Sequence, residues 1–547
     1  MSPTESNPAP DTPRPPADAL REAIDLLERV AEDRALLAGL SAEDRARLIR
    51  AAGSVFHPDP AARRRLVKTF TRIRKNERAQ QDERVMAETG IRALRRLPVF
   101  TTPPAFAPRE FIALDAAPSE DDERLAREAE AAPAVGGEGA EGARTIEARA
   151  CYICKQPYSQ VHHFYDRLCP ACGDFNFAKR TELADLTGRV ALLTGGRVKI
   201  GYQAGLKLLR CGAHLIVTTR FPRDSAMRYA LEPDFAEWGH RLEIFGLDLR
   251  HTPSVEAFCH HLLTTRERLD YIVNNACQTV RRPPDFYAHM MEHENAALGD
   301  LSATARGLLG AWEGLRGYHL LPEGREADAA REAAIGPAAR AAELAGLTHA
   351  AQLSQVPLLP EEERAQRDLF PVGRLDADLQ QVDLRGRNSW RLLLAEVPTV
   401  ELLEVQLVNA IAPFVLNARL KPLMVRTPGQ DKHIVNVSAM EGQFYKSFKT
   451  TRHPHTNMAK AALNMMTRTS ATDYRQDGIH MNSVDTGWVT DEDPAAIAAR
   501  KAEEHRFVPP LDIVDGGARI VDPIVDGMNT GRHVWGQFLK DYRPTPW

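Results

Sequence analysis

Residues 189–201 read RVALLTGGRVKIG. A short apolar run ends in two glycines and turns directly into GYQAGLKLLRCGA (201–213), whose apolar residues recur at helical spacing. Such a turn can aim backbone N–H groups and a helix N-terminus at a pyrophosphate. Three more β-like runs follow: HLIVTTR (214–220), LEIFGLDL (242–249) and LDYIVNNA (269–276). Strands alternating with helices of this length build βαβ units, so the expected class is α/β with a doubly wound parallel sheet.

Working outward, the 547 residues are 43% hydrophobic and carry a formal charge of -4. That is enough apolar material for real cores, and the balance gives no global pull toward nucleic acid or acidic membranes. The start, MSPTESNPAPDTPRPPADAL, has no basic segment followed by an apolar core, so a signal peptide is not expected. No apolar run is read as approaching the ~18 residues of a membrane span. Of seven cysteines, four fall between 151 and 172. That distribution suits a reducing, cytoplasmic setting with one metal site better than a disulfide framework.

Five segments are expected. Residues 1–17, rich in Pro, Ser and Thr, form a disordered tail, and 18–116 a helical region. In the latter, Leu20, Ile24, Leu27 and Val30 mark one buried face, and Ser41 with Asp44 an N-cap with an acidic first turn. A helix from about Ala61 carries Arg63, Arg64, Arg65, Lys68, Arg72, Arg74, Lys75 and Arg78 against Glu77 alone. A solvated face is favoured there over a nucleic-acid surface. Residues 117–148 are an Ala/Glu/Gly linker. Residues 149–182 hold Cys151-x-x-Cys154 and Cys169-x-x-Cys172, with 14 residues between the pairs. Two such knuckles can hold Zn²⁺ by four thiolates, and a closed site of this kind is structural or partner-binding; a redox dithiol is the competing reading. His162 and His163 are expected outside the coordination sphere. The last segment, 183–547, is the α/β domain, with an insertion at about 285–395 that could be a lid, a partner surface or a helical decoration.

In the stretches 186–285 and 396–495 the chain resembles the short-chain dehydrogenase/reductase family, whose fold is a Rossmann-type sheet. The usual turn TGxxxGxG is matched by Thr194, Gly195 and Gly201, while Lys199 replaces the middle glycine. The resemblance implies that Asp248, followed by Leu249, contacts adenine and that Asn275 lies in the NNAG segment, with Cys277 replacing its glycine. NAD-binding members usually carry an acid after the second strand. Here Thr219 and Arg220 stand at that point, which favours a 2′-phosphate and hence NADP(H) over NAD(H), with Arg197 able to help.

The family's catalytic set maps onto Asn409 in VQLVNAIAPFVLNARLKPLM, Ser438 in HIVNVSA and Lys460 in KAALNMMTRTSATDY. The resemblance implies that serine holds the substrate oxygen, lysine binds the nicotinamide ribose and lowers the pKa of a tyrosine acid/base, and asparagine orders a water. With Lys460 in register, the tyrosine position is Thr456. An aliphatic hydroxyl is a poor general acid near neutrality. Tyr445 and Lys449 also fit YxxxK, but Pro454 interrupts the helix that pair would need. Lys460 is therefore preferred, with Tyr445 as a relocated acid and His453 and His455 as weaker substitutes.

The expected function is an NADP(H)-dependent oxidoreductase acting on a small-molecule carbonyl/alcohol pair, with structural zinc. A catalytically altered NADP(H)-binding regulator or scaffold, using the zinc module or insertion to bind a protein partner, is the alternative. The resemblance also implies a homo-oligomer through the helices carrying Asn409 and Lys460.

Overall fold

A computed structural model describes residues 17–103, 143–296, 298–309, 350–363, 366–445 and 449–547. The expected N-terminal tail, most of the 117–148 linker and the Ala-rich middle of the insertion fall outside the described residues.

The apolar runs of the sequence become the central strands. β1 (Arg144–Ala150) and β2 (Pro157–Gln160) pair as an antiparallel hairpin. The main sheet comprises β3 (Val190–Thr194), β4 (His214–Thr219), β5 (Leu242–Gly246), β6 (Tyr271–Asn274), β7 (Lys432–Ser438), β8 (Ile479–Asp485), β9 (Phe538–Lys540) and β10 (Arg543–Thr545). Their spatial order is β10-β9-β8-β7-β6-β3-β4-β5, parallel throughout except for the β9–β10 hairpin. Strands β6, β7 and β8 are buried along their whole length, and β3 and β4 after their first residue, because helices cover both faces.

Chain direction reverses between β3, which continues to β4, and β6 on its other side. A doubly wound sheet binds ligands in the crevice outside the carboxyl ends of its strands at such a switch point. Thr194, Thr219, Asn274 and Ser438 all end strands there. Helix Lys199–Arg210 packs closely on helix Ile513–Thr530, where a side chain at Gly517 would stand 2.9 Å from the backbone of Ala204.

The linker ends earlier than the sequence predicted. β1 begins at Arg144 because the Asp82 carboxylate accepts hydrogen bonds from Ile146 N (2.6 Å) and Glu147 N (3.3 Å), fixing that edge. The chain divides into Met1–Gln80 and Gln81–Trp547. In the first unit, helices Ala17–Glu32 and Ala42–Phe56 form as expected, and Ser41 Oγ accepts from Asp44 N at 3.1 Å. The stripe expected to be buried is not: Leu20, Ile24 and Leu27 are 52%, 54% and 41% exposed. The run Thr399–Met424 is one helix of 26 residues, long and apolar enough to cross a membrane; here Leu416, Leu420 and Leu423 bury it against the sheet core.

Candidate functional site

The turn after β3 is locked to the turn after β6. Gly195 has φ +70°, and a Cβ there would meet Ala276 Cα at 2.9 Å. A Cβ on Gly201 would lie 2.2 Å from Gly195 O. Asn275 Nδ2 donates to the carbonyls of Thr194 (3.1 Å) and Gly195 (3.0 Å), and Thr194 Oγ1 accepts from Ala276 N at 3.0 Å. Thr194 and Asn275 therefore shape the turn. Lys199 adopts φ +55°, a left-handed conformation that explains why glycine is usual there.

A cavity of about 670 Å³ opens above this turn. Gly195, Arg197, Gly201, Arg220, Asp248, Leu249 and Asn275, all predicted cofactor residues, line it; Thr194 and Lys460 are not on its wall. Arg220 directly follows the last residue of β4, Thr219. Its guanidinium lies 4.7 Å from the centre of the Tyr287 ring and donates to Tyr287 Oη at 2.7 Å. Arg197 is differently engaged, held by Asp224 (2.6 Å) and Gln380 (3.0 Å). Burial would raise the Asp224 pKa, but Arg197 and Arg228 outweigh it and the net shift is downward. Arg197 thus reaches the cavity wall already paired with a carboxylate.

Asp248 is clasped by Arg250 (2.6 Å), which also reaches Glu404 at 2.9 Å. Burial pushes the Asp248 carboxyl up, Arg250 pulls it down further, and the net shift is downward. Glu404 additionally accepts from Arg281 (2.9 Å) and Gln278 Nε2 (3.0 Å). This charged network escaped the sequence reading. Arg250, immediately after LDL, was the one local signal for it.

The described part of the insertion does not stand far from the site. A tongue closed by a Leu375–Gln381 bridge brings Asp376, Gln380 and Asp383 to the cavity wall. Arg228 donates to the carbonyls of Asp378 (2.9 Å) and Leu379 (3.0 Å), holding the tongue over the turn. The described ends of the insertion therefore form part of the site.

Asn409 lies in a π-turn, Leu407–Ile411, a distortion common at functional positions. Its amide pairs with the backbone of Gln278, accepting from N at 2.7 Å and donating to O at 3.0 Å, which ties this helix to the loop after β6. Ser438 ends β7. Thr456 and Lys460 are one turn apart on helix Pro454–Gln476, on the same face. All three are buried. Lys460 Nζ donates to Val437 O at 2.8 Å, while Ser438 Oγ and Thr456 Oγ1 have no hydrogen-bond partner among the described residues. A buried unpaired hydroxyl costs about 1–3 kcal/mol, so both are available to a partner, although neither lines the cavity of about 670 Å³.

Tyr445 does not join them. It is 94% exposed, because the helix begins only at Pro454 and leaves Tyr445 in the preceding loop. The expectation of a relocated tyrosine acid is corrected accordingly. Of its substitutes, His455 faces Glu401 at 3.5 Å, and His453 stacks on Trp390 with centroids 3.8 Å apart.

The four cysteines converge as the spacing required, with their Sγ atoms all within 4.8 Å of one another, a donor set that fits tetrahedral Zn²⁺. His162 turns its Nδ1 to the backbone N–H of Phe164 (3.0 Å) and its Nε2 toward Asp174 (3.2 Å). It is not part of the sulfur cluster.

Residues 387–508 match the family model described as Enoyl-(Acyl carrier protein) reductase. A mimivirus protein from Acanthamoeba polyphaga mimivirus, "Uncharacterized protein R665", is 29% identical over 387 residues, covering 69% of this chain and 71% of its own. "Dehydrogenase/reductase SDR family member 13" of Bos taurus is 36% identical over 107 residues, 18% of this chain and only 28% of that protein. Among solved structures, the Pseudomonas aeruginosa RhlG/NADP active-site complex aligns over 65% of this chain and 95% of that one, at 16% identity and a TM-score of 0.38. The short chain dehydrogenase from Shigella flexneri aligns over 66% and 94%, at 14% identity and a TM-score of 0.37. The glycine turn, the strand order and the placing of Asn409, Ser438 and Lys460 agree with these matches, and the chain is similar to the short-chain dehydrogenase/reductase family.

Proposed function

We propose that the chain is an NADP(H)-dependent oxidoreductase acting on a carbonyl/alcohol pair. The observation that carries this reading is the pair of buried, unpartnered hydroxyls, Ser438 Oγ and Thr456 Oγ1, beside Lys460 at the carboxyl edge of the sheet. The turn 194–201 and the Asp248–Leu249 edge would hold the dinucleotide, and Arg220 its 2′-phosphate. When bound, the nicotinamide would supply or accept hydride.

The chain's own residues handle the oxygen and its proton. Ser438 Oγ donates a hydrogen bond to the substrate oxygen and fixes its position. Thr456 cannot release a net proton as a phenol does, so its hydroxyl acts as a relay. In the reducing direction it passes a proton to the substrate oxygen as it accepts one from the Lys460 ammonium, which must first turn toward it from Val437 O, and Lys460 is reprotonated from solvent. The cost of lacking a phenol is rate. We expect Thr456→Ala to lower kcat by roughly 10²-fold or more and leave NADPH affinity within about twofold. Steady-state NADPH oxidation with a panel of aldehydes and ketones checks this.

The second reading, an NADP(H)-binding regulator, is favoured by one observation, the solvent-exposed Tyr445 with threonine at the tyrosine position. Tight NADPH binding with no turnover of any carbonyl would select it. We further propose structural Zn²⁺ on Cys151, Cys154, Cys169 and Cys172, a cytoplasmic setting that keeps those thiols reduced, and a homo-oligomer. The last rests on the exposed Leu403, Phe414, Met458 and Met465 of the two helices that carry Asn409 and Lys460.

A further inference from the structure

The loop joining β8 to helix Ile513–Thr530 forms one wall of the cofactor cavity through Thr490, Asp491, Glu492, Asp493 and Ala498. From the cavity side the middle of this loop is tied by Asn388 Nδ2 to Glu492 O (2.9 Å) and by Arg391 to Asp493 (2.8 Å), while its two ends are held from elsewhere. The cysteine module does much of that. At its start, Tyr152, the residue after Cys151, accepts a hydrogen bond on Oη from Trp488 N at 3.0 Å. The Tyr152 backbone N in turn donates to Arg167 O at 2.9 Å, inside the module. Gly487 has φ +77°, and a Cβ there would already touch Leu511 Cδ1 at 2.6 Å and stand 3.5 Å from Tyr152 Oη. At the loop's far end, Arg167 Nη2 donates to Arg506 O at 2.8 Å. Arg95 donates to Pro509 O and Leu511 O, both at 2.7 Å. Leu511 N closes the base on Trp488 O at 3.3 Å.

Packing repeats the pattern. Val489 and Leu511, from the two ends of the loop, are buried in one apolar cluster with Cys151, Phe164 and Leu168. Beyond the loop, Arg180 pairs with Asp512 (2.7 Å) and Asp515 (2.9 Å), and Tyr165 Oη reaches Asp515 at 2.5 Å. The module offers only a short hairpin and one helix, Pro170–Thr181, to fix Tyr152 and Arg167. A unit that small depends on a metal or disulfides for its fold, and all four of its cysteines are free thiols.

We propose that the metal-bound cysteine module is a clamp on the cofactor loop, so that metal occupancy sets the affinity for the dinucleotide and the dinucleotide in turn retains the metal. The inference rests on the nucleotide-binding reading above. Metal binding to such a module is folding free energy. Loss of the metal releases Cys151 and Tyr152 from their places, frees Trp488 N and Val489 together, and lets the 490–498 wall move out of the cavity. Coupling between two ligands through one ordered element is reciprocal, so whatever factor the metal adds to nucleotide affinity the nucleotide adds to metal affinity.

The test uses the full chain loaded with zinc. The first measurement is zinc release to a chromogenic chelator with and without saturating NADPH. The second is NADPH affinity, by fluorescence titration, of the wild type and of Tyr152→Phe, whose zinc content is checked in the same preparation. Phenylalanine keeps the ring and removes only the Oη that accepts from Trp488. The clamp predicts zinc release at least fivefold slower with NADPH bound, and NADPH affinity about threefold to tenfold weaker in Tyr152→Phe at unchanged zinc stoichiometry. If NADPH binds but changes neither the release rate nor its own affinity for Tyr152→Phe, the clamp is wrong and the nucleotide reading survives. If zinc-loaded protein binds no NADPH at all, the nucleotide reading falls and takes the clamp with it.

Discussion

Lys199 stands where the family places a glycine, and its backbone takes the left-handed conformation that glycine adopts without strain. An L-residue held there costs about 1–2 kcal/mol. We expect Lys199→Gly to raise stability by about 1 kcal/mol in thermal unfolding, and to weaken dinucleotide binding severalfold because an ammonium leaves the phosphate turn. Stability and affinity moving in opposite directions would mark Lys199 as a strained functional residue; an affinity that stays the same would make the lysine incidental. At this scale the sequence was informative where chemistry needs a residue type at fixed spacing: the four cysteines, the glycines of the turn, and Thr456 one turn before Lys460. It misled at Tyr445. YxxxK is only a distance along the chain, and whether it lies on a helix depended on Pro454 setting the helix start. The partners of Arg197, Asp224 and Gln380, were invisible to spacing because they lie far off in sequence.

Among the elements, the tongue around Asp376–Gln381 changes the reading of the phosphate end. Asp376 Oδ1 accepts from the N–H groups of Asp378 (3.0 Å) and Gln380 (2.9 Å), which fixes its bend. Burial raises the Asp378 pKa, and the facing Lys199 opposes that rise. A carboxylate there competes with a bound phosphate for the same cations. Asp378→Asn should therefore tighten NADPH binding about threefold to tenfold at low salt, with the gain fading as ionic strength rises. Titrations at two salt concentrations check it; weaker binding would mean that the tongue helps to hold the cofactor. The tongue has no hydrophobic period, and so nothing in the sequence placed it over the turn.

Another element-level feature lies at the amino ends of β7 and β8. His433 Nε2 and His533 Nδ1 are 2.9 Å apart, and the His480 ring lies 5.1 Å from that of His433. Burial lowers the pKa of all three, and His480 and His533 lower that of His433 further. The charged groups facing them are Asp431, which pulls His480 and His533 upward, and Arg475, which lowers both. With folded values below the unfolded value of about 6.5, the unfolded chain binds more protons once pH drops under that point. Stability conferred by the neutral trio is thus present above about pH 6.5 and lost as pH falls below it. Melting curves at pH 7.5 and 5.5 should show a larger drop for the wild type than for His433→Gln; equal drops would remove the trio from the acid response.

For the whole molecule, the doubly wound parallel sheet and its glycine turn were legible from alternating apolar and helical runs, because a parallel sheet buried on both faces needs largely apolar strands. The N-terminal unit was half legible. Helical period identifies an apolar face, whereas only tertiary contacts decide whether it is covered, and Leu20, Ile24 and Leu27 stay exposed. The central claim, a dinucleotide site that selects a 2′-phosphate through Arg220 and is completed by Lys460, concerns the assembled α/β domain. Fluorescence titration of the zinc-loaded chain with NADPH and NADH, in the wild type, Arg220→Ala and Lys460→Ala, tests it most directly. The account predicts NADPH binding at least tenfold tighter than NADH, a preference erased by Arg220→Ala, and weaker binding of both nucleotides in Lys460→Ala. Binding of neither nucleotide by the wild type, or a preference that Arg220→Ala leaves intact, would contradict it.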